Sequence, residues 1–425
     1  MSADLRTPPA ASPGTLAAAA PTAAEARAPL LEVRGLRKHF PIKGGFLQRT
    51  VGLVKAVDDV SFTVHDGEIL SLVGESGCGK TTTARCVIRA VDPTSGEVLF
   101  RRESGEVVDV AKLSEKQLRP IWRDMQLIFQ DPFGSLNPRK NLLDIIGEPM
   151  LVQGVRSRQK RMDRVAELLN LVGLRPEYMH RFPHAFSGGQ RQRIVIARAL
   201  TLEPRLVIAD EAVSALDVSV QAQILNLLLD LQRRLRLSYL FVAHDLSIVK
   251  HISHRVAVMY VGKVVELAPT DALFTRPKHP YTSALLRAVP VPDPDKRAAL
   301  QGLPGEVANP AAPPPGCYFH PRCPFAVEHC KQEPPPLREL TPGHSVACHR
   351  AEELDLDGIG ELESAATPRP RAVPPAHPDA EVRLRAAPEA PGTTMPLAPE
   401  TTPTGAPGAG AQPAPDSPPP EEESR

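Results

Sequence analysis

A glycine-rich segment between an apolar strand and a helix is the feature that most constrains this fold. Residues 74–81 read Gly-Glu-Ser-Gly-Cys-Gly-Lys-Thr. The run before it, Ile69–Val73, is predicted as a buried strand, and residues 81–90 as a helix. Glycines let backbone N–H groups curl around an anion, and a helix N-terminus adds unpaired donors and a favourable dipole. The segment is therefore predicted to bind phosphate groups.

Two side chains of this phosphate-binding loop have predicted roles. Lys80 can reach the β- and γ-phosphates of a nucleotide as a point charge, and the Thr81 hydroxyl can ligate Mg²⁺. Cys78 is expected to be a small filler rather than a nucleophile. An accidental glycine turn would lack the flanking strand and helix, so the context favours a nucleotide site. The predicted contacts are Gly74, Glu75, Ser76, Gly77, Cys78, Gly79, Lys80, Thr81 and Thr82.

Apolar runs alternate with helical patterns through residues 30–289. Residues 205–209 and 239–243 are predicted as buried strands, and residues 190–202 and 220–237 as helices. Strands that alternate with helices predict an α/β fold with a largely parallel sheet.

Polar residues follow several of these apolar runs. Asp210 and Glu211 end one run, where Asp210 can hold Mg²⁺ and Glu211 can polarise an attacking water molecule. His244 follows the next run and can donate a hydrogen bond to a γ-phosphate. Gln130 ends an earlier run and can touch the metal or the water. Each residue alone is weak evidence, and the phosphate-binding loop upstream gives the set its meaning.

A second candidate anion site lies at residues 186–193, which read Phe-Ser-Gly-Gly-Gln-Arg-Gln-Arg. Ser187 is a good N-cap for a helix that begins near Gln190, and two glycines expose backbone N–H groups at its start. An ordinary capped helix after a glycine turn is the alternative.

The order and spacing of these motifs resemble the ATP-binding subunit of ABC transporters over residues 30–350. The motifs are the phosphate-binding loop, Gln130, residues 187–190, Asp210 with Glu211, residues 214–217 and His244. Residues 130–138, 211–219 and 317–325 are similar to the F-type subunit of oligopeptide/dipeptide importers. Phe186 stands where the broader family most often has Leu. The resemblance implies a P-loop NTPase domain with a parallel-sheet core, an antiparallel β subdomain and a helical signature subdomain.

The resemblance also implies a mechanism in which two subunits meet head to tail and enclose ATP. Ser187, Gly189 and Gln190 would act on the nucleotide of the partner, and Asp217 would communicate across the dimer. Phe40 is the candidate for stacking on adenine, with Phe46 as an alternative. The residues expected to act on the subunit's own nucleotide are Lys80, Thr81, Gln130, Asp210, Glu211 and His244.

The implied partners are a similar D-type ATP-binding subunit, two membrane permease subunits docked near residues 130–149, and an extracytoplasmic peptide-binding protein. The chain would then lie peripherally at the cytoplasmic face of the membrane. No run approaches the roughly 18–20 apolar residues of a membrane span, and the N-terminal segment lacks the pattern of a secretory signal. A net charge of +1 argues against a nucleic-acid partner.

Four cysteines cluster near the end of the predicted ordered region, at Cys317, Cys323, Cys330 and Cys348. Four thiolates can hold Zn²⁺ or an iron–sulfur cluster. The paired spacing of structural zinc sites is absent, so the looser spacing suits a cluster better. The family resemblance implies a [4Fe–4S] centre, with zinc or unligated thiols as alternatives. His320, His344 and His349 stand nearby as substitute ligands.

Proline accounts for 47 of the 425 residues and is concentrated outside the predicted core. Residues 1–29 and 351–425 have compositions that bury too little apolar surface to offset the entropy of ordering. We therefore expect two disordered tails around a nucleotide-binding domain at 30–289 and a cysteine-containing extension at 290–350. A proline-rich connector at 290–315 opens that extension.

Three other functions compete with peptide import. An importer of nickel or another small solute could use the same subunit type, since other subunits select the substrate. A DNA-repair or chromosome-structure ATPase is disfavoured because residues 81–186 contain no heptads or long insertion. A P-loop module that binds without hydrolysing is disfavoured by Glu211 and His244.

Overall fold

In this computed structural model, the described residues are 28–45, 49–288 and 305–359. These residues form a four-stranded antiparallel sheet and an eight-stranded mixed sheet with surrounding helices. Most of the predicted tails, at 1–27 and 360–425, lies outside the described residues. So do Phe46, residue 289 and residues 290–304 of the predicted connector.

The strands follow the chain from the first described segment to the extension. They are β1 (Leu31–Gly44), β2 (Arg49–Val64), β3 (Ile69–Val73), β4 (Ser95–Arg101), β5 (Val107–Asp109), β6 (Met125–Ile128), β7 (Leu206–Asp210), β8 (Ser238–Val242), β9 (Arg255–Tyr260), β10 (Lys263–Pro269), β11 (Arg338–Thr341) and β12 (His344–Val346). The smaller sheet has the order β2-β1-β4-β5, and the larger has the order β11-β12-β10-β9-β3-β8-β7-β6.

The helices lie between these strands along the chain. They are α1 (Lys80–Val87), α2 (Glu115–Asp124), α3 (Pro132–Ser135), α4 (Leu142–Val152), α5 (Arg158–Leu171), α6 (Gly188–Ala199), α7 (Val218–Leu235), α8 (Leu246–Ile252), α9 (Thr270–Thr275), α10 (Pro280–Arg287) and α11 (Glu328–Gln332). Helices α4, α5 and α6 pack against one another and form the helical subdomain. No helix of the described ranges is long and apolar enough to cross a membrane.

Strand β3 occupies an inner position of the larger sheet and pairs in parallel with β8 and β9. The buried side chains form hydrophobic clusters on the two faces of this sheet: Ile69 and Val73 belong to one, and Leu70 and Leu72 belong to another. Successive strand residues point to opposite faces, so both faces of β3 are covered. The run before the phosphate-binding loop is apolar because both faces of its strand are covered. The predicted α/β fold is confirmed.

The predicted C-terminal extension adds strands to the larger sheet instead of standing apart from it. Strand β12 pairs antiparallel with β10, with Glu266 opposite Val346. The fully buried Glu266 carboxylate accepts hydrogen bonds from the backbone N–H groups of Lys278 and His279, and contacts His344 Nε2 at 2.8 Å. A buried carboxylate needs such partners, and here they tie the extension to the start of α10.

The predicted tail boundary at residue 351 requires correction. Ala351 and Leu356 are buried, and the backbone N–H of Ile359 donates to the carbonyl of Phe274 at 2.9 Å. Ser283 Oγ donates to the carbonyl of Asp357 at 2.8 Å. Residues 351–359 therefore pack on helices α9 and α10, because two apolar side chains and local hydrogen bonds suffice to hold a short segment.

Candidate nucleotide-binding site

The phosphate-binding loop follows β3 and depends on glycine at its two ends. Gly74 and Gly79 have φ angles of 148° and 104°, which side chains rarely adopt. A Cβ at Gly74 would lie 2.2 Å from the Met259 carbonyl oxygen, and one at Gly79 would lie 2.1 Å from that of Ala56. The loop can therefore approach its neighbours only because both residues lack side chains.

Lys80 begins α1 and folds back over the loop. Its Nζ donates hydrogen bonds to the carbonyl oxygens of Gly74 and Glu75 at 2.7 and 3.0 Å. Ser76 and Gly77 are exposed at the tip of the loop, where a ligand can reach their backbone. The side chain of Cys78 is buried, and this burial raises the pKa of its thiol. Cys78 thus has the surroundings of a packing residue.

Thr81 and Asp210 meet at the carboxyl ends of β3 and β7. Thr81 Oγ1 donates to Asp210 Oδ1 at 2.8 Å. The other carboxylate oxygen, Oδ2, accepts no hydrogen bond from the described residues and lies 3.6 Å from the Arg85 guanidinium. Burial raises the pKa of Asp210, against the effects of Thr81 and Arg85. A hydroxyl beside a carboxylate with an open oxygen fits Mg²⁺, which binds through few protein oxygens.

Glu211 follows Asp210 and gathers the two other predicted catalytic side chains. Gln130 Nε2 donates to Glu211 Oε2 at 2.6 Å, and His244 Nδ1 lies 3.6 Å from the same oxygen. Gln130, Glu211 and His244 come after strands β6, β7 and β8, whose carboxyl ends share one sheet edge. Glu211 also has a φ of 50°, an uncommon conformation for a residue with a side chain.

The second candidate anion site is a capped helix. Ser187 Oγ accepts from the Gln190 N–H, and Gln190 Oε1 accepts from the Ser187 N–H, which forms a capping box at the start of α6. Phe186 is buried, and its ring packs edge-on against Tyr178 with centroids 5.6 Å apart. A Cβ at Gly189 would lie 2.5 Å from Val220 Cγ1, so glycine permits the close approach of α6 and α7.

Among the described residues, the predicted signature residues Ser187 and Gln190 and the predicted adenine-stacking residue Phe40 make no side-chain hydrogen bond to Thr81, Asp210 or Glu211. The side-chain bonds of Ser187 and Gln190 join those two residues to each other. Phe40 lies in the hairpin of β1 and β2 with 39% of its surface exposed, and Lys38 Nζ stands 4.9 Å from its ring centroid. Its stacking on adenine stays a prediction.

The four clustered cysteines line one small cavity of about 20 Å³. Burial, together with the other thiols, raises the pKa of Cys317 to about 12 and that of Cys348 to about 11. Within the described residues, however, no group of three or more His, Cys, Asp or Glu is arranged to hold a metal ion. The arrangement therefore does not support the predicted iron–sulfur cluster or zinc.

The sequence analysis missed three residues that tie distant segments together, of which Arg322 links the extension to the phosphate-binding loop. Tyr281 Oη accepts a hydrogen bond from the Glu75 N–H at 2.9 Å, and Arg322 pairs with the Glu75 carboxylate. Tyr318 donates to Asp58 at 2.9 Å. Tyr318 and Arg322 flank residues 319–321 between two cysteines, in a segment whose cysteines and His320 directed the prediction toward a metal.

A phosphate-binding loop, an adjacent hydroxyl–carboxylate pair and a glutamate at the same sheet edge define a P-loop nucleotide hydrolase. Family comparison narrows this class. A model described as "ABC transporter" matches residues 57–214, and one described as "Oligopeptide/dipeptide transporter, C-terminal region" matches residues 265–330. The chain belongs to the ABC transporter family as an ATP-binding subunit.

Several relatives are similar over nearly their whole length. The oligopeptide transport ATP-binding protein AppF of Bacillus subtilis is 53% identical over 75% of this chain and 97% of its own. The probable peptide ABC transporter ATP-binding protein y4tS of Sinorhizobium fredii is 52% identical over 81% and 97%. The di/tripeptide transport ATP-binding protein DppF of Pseudomonas aeruginosa is 46% identical over 76% and 98%.

Proposed function

We propose that this chain is the ATP-hydrolysing subunit of an importer for di- and oligopeptides. One observation carries the hydrolytic part: Gln130 and His244 converge on Glu211, which follows the Asp210 that contacts Thr81. The names of the similar proteins, which describe peptide, oligopeptide and di/tripeptide transport, support the peptide part.

The nucleotide would be held by two surfaces. Lys80 leaves its two carbonyl partners and binds the β- and γ-phosphates, while the exposed backbone of the loop supplies N–H donors. Ser187, Gly189 and Gln190 at the start of α6 contact the nucleotide of a second subunit. Val218, two positions before the Val220 that packs on Gly189, is 82% exposed and offers an apolar contact to that second subunit.

Hydrolysis follows from the arrangement around Glu211. Thr81 and Asp210 would hold Mg²⁺, which would neutralise charge on the phosphates when bound. The Glu211 carboxylate accepts a proton from the attacking water, whose oxygen bonds to the γ-phosphorus as the bond to ADP breaks. Gln130 orients this carboxylate, and His244 donates a hydrogen bond to the γ-phosphate.

A groove beside the helical subdomain offers a docking place for the membrane subunits. It encloses about 410 Å³ and is lined by Trp122, Phe129, Pro149, Arg198 and neighbouring residues. Phe129 is 44% exposed and directly precedes Gln130, so an occupant of the groove would contact the segment that reaches Glu211. We propose that permease subunits dock there and that the chain lies at the cytoplasmic face of the membrane.

The full assembly would contain four kinds of subunit. A D-type ATP-binding subunit would complete the head-to-tail dimer, two permease subunits would form the path through the membrane, and an extracytoplasmic protein would deliver the peptide. Co-purification of the tagged chain from membranes tests this composition directly. Recovery of the chain with permeases of another transporter class would contradict it.

The cysteine cavity raises a separate proposal. Cys317, Cys323, Cys330 and Cys348 supply the donor set of a [4Fe–4S] cluster or of zinc, although their described arrangement is not that of a metal site. Iron and acid-labile sulfide in anaerobically purified protein would support the cluster. Stoichiometric zinc would support the alternative, and absence of both would leave four structural thiols.

The transport proposal is tested by reconstitution of the complex in liposomes. We expect uptake of labelled di- or oligopeptides that requires ATP and is lost with Glu211→Gln. Parallel assays with nickel distinguish the competing substrate class. ATP-dependent nickel uptake without peptide uptake would contradict the peptide assignment but leave the hydrolytic role in place.

A further inference from the structure

The C-terminal extension reaches back to the phosphate-binding loop through an ion pair. Arg322, at the end of a short 3-10 helix, His320–Arg322, donates from Nη1 to Glu75 Oε2 at 2.8 Å and from Nη2 to Oε1 at 3.1 Å. Glu75 is the second residue of the loop. The side chain of Arg322 is 4% exposed and that of Glu75 is 25% exposed. A two-point pair of this kind fixes orientation as well as charge.

An aromatic cluster holds Arg322 in place. Its guanidinium lies 5.9 Å from the ring centroids of both Tyr260 and Phe319. The rings of Tyr260, Tyr281 and Phe319 pack on one another at centroid distances of 4.7 to 5.4 Å. Because the planar guanidinium rests against these rings, little further ordering is needed for it to meet Glu75.

The same cluster also holds the backbone of Glu75. Tyr281 Oη accepts a hydrogen bond from the Glu75 N–H at 2.9 Å. Glu75 is therefore bound through its main chain by α10 and through its side chain by the extension. The adjoining carbonyl oxygens of Gly74 and Glu75 are those that Lys80 contacts, so the anchored residue borders the lysine that is to bind phosphate.

Electrostatics give this contact a role beyond anchoring. A carboxylate in a loop that receives a triphosphate repels it, and the repulsion is strong where water is partly excluded. Arg322 supplies the opposite charge at hydrogen-bond distance. Removal of Arg322 would leave an unpaired negative charge beside the phosphates as well as a less constrained loop.

We propose that Arg322 is a positioning residue of the nucleotide site, which neutralises Glu75 and holds it so that the loop accepts the triphosphate. The proposal rests on the proposed ATPase function. The competing explanation is that Arg322 only anchors the extension to the domain. The two explanations differ in the effect of a second substitution, at Glu75.

The experiment uses the full chain and a fluorescent ATP analogue, with ATP itself as competitor. We expect Arg322→Ala to raise the Kd for ATP about tenfold, equivalent to about 1.4 kcal/mol, with Arg322→Lys intermediate. In the assembled complex, Arg322→Ala should raise the KM for ATP and leave kcat within about twofold of the unsubstituted value. The double variant Arg322→Ala/Glu75→Gln should recover most of the affinity lost in Arg322→Ala, because the unpaired negative charge is gone.

Arg338→Ala is the matched control, since it removes an ion pair with Glu352 in the same extension, away from the loop. It should bind ATP as the unsubstituted chain does. Equal affinity of Arg322→Ala and the unsubstituted chain would overturn the proposal, as would a loss that Glu75→Gln does not recover. If the unsubstituted chain binds no ATP, the proposed function itself fails and this proposal with it.

Discussion

Gln130 and Glu211 are joined by a hydrogen bond of 2.6 Å although 81 positions separate them in the sequence. Gln130 follows β6 and directly succeeds Phe129, which lines the groove. Glu211 follows β7 and directly succeeds Asp210, a candidate magnesium ligand. Since β6 and β7 are parallel neighbours, a shift of the segment after β6 changes the surroundings of the carboxylate directly. This hydrogen bond is thus a direct physical link between the segment after β6 and the hydrolytic residues.

Glu211→Gln should abolish hydrolysis and preserve ATP binding. Glutamine keeps the shape and can still contact Gln130, but it cannot take a proton from water. Loss of a general base costs about 10²- to 10⁴-fold in rate. The measurement is ATP turnover by the assembled complex together with the Kd for ATP. The exposed Glu177→Gln serves as control, and undiminished turnover by Glu211→Gln would show that another group is the base.

Gly189→Ala should destabilise the junction of α6 and α7. The new Cβ would lie 2.5 Å from Val220 Cγ1, and Val220 must move to admit it. Overpacking of this kind costs about 1–3 kcal/mol. Gly188→Ala is the matched control, because its Cβ would meet only Leu216 Cδ2 at an ordinary 3.6 Å. Chemical unfolding of both variants measures the difference, and equal stabilities would contradict the close-packing argument.

Local sequence patterns predicted the parts of the site that lie on single elements. The phosphate-binding loop was visible from its glycines and flanking strand, and Asp210 and Glu211 from their place after a continuous apolar run. The parallel sheet then brings them together, because such strands present their carboxyl ends at one edge. The fold class was therefore predictable from residues a few positions apart.

The contacts of the extension were not predictable in this way. The Arg322–Glu75 pair spans 247 positions and the Tyr318–Asp58 bond spans 260, and neither pairing leaves a periodic pattern. The addition of β12 to the sheet likewise depends on a three-residue strand, His344–Val346, too short for alternation to be recognised. The cysteines between which Tyr318 and Arg322 lie directed attention to metal chemistry instead of to these side chains.

Tyr318→Phe should weaken the attachment of the extension in a pH-dependent manner. Burial acts to raise the pKa of Asp58, but hydrogen bonds from Tyr318 and His39 and the charge of Lys263 together hold that pKa below its ordinary value. A carboxyl with a lowered pKa stabilises the fold above its unfolded pKa, near 4, and this stability is lost as pH falls through the folded pKa. We expect a loss of about 1–3 kcal/mol at pH 7.

The loss in Tyr318→Phe should shrink on acidification, once Asp58 is protonated in both proteins. Phenylalanine retains the ring that faces Lys263 Nζ at 5.2 Å, so the substitution removes chiefly the hydroxyl. Free energies of unfolding at pH 7 and at a pH low enough to protonate Asp58 in the unsubstituted chain measure the effect. A difference between the two proteins that is the same at both pH values would contradict a role for the Asp58 charge.

His279 should make the fold sensitive to mild acid. The side chain is buried at the start of α10, and this burial lowers its pKa from 6.5 to about 4 against the charge of Glu266. Its Nδ1 accepts a hydrogen bond from the Tyr281 N–H, which requires the neutral ring. Because the fold disfavours protonation, the contribution is present above pH 6.5 and is lost as pH falls from 6.5 to 4. The full interval corresponds to about 3 kcal/mol.

His279→Asn separates this titration from the structural role of the residue. Asparagine is a good N-cap whose side-chain oxygen can accept from the Tyr281 N–H, but it carries no titrating ring. Between pH 7 and pH 4.5 the unsubstituted chain should therefore lose about 2–3 kcal/mol more unfolding free energy than the variant. Denaturant unfolding at several pH values measures both slopes. Parallel slopes for the two proteins would contradict the assignment of this acid sensitivity to His279.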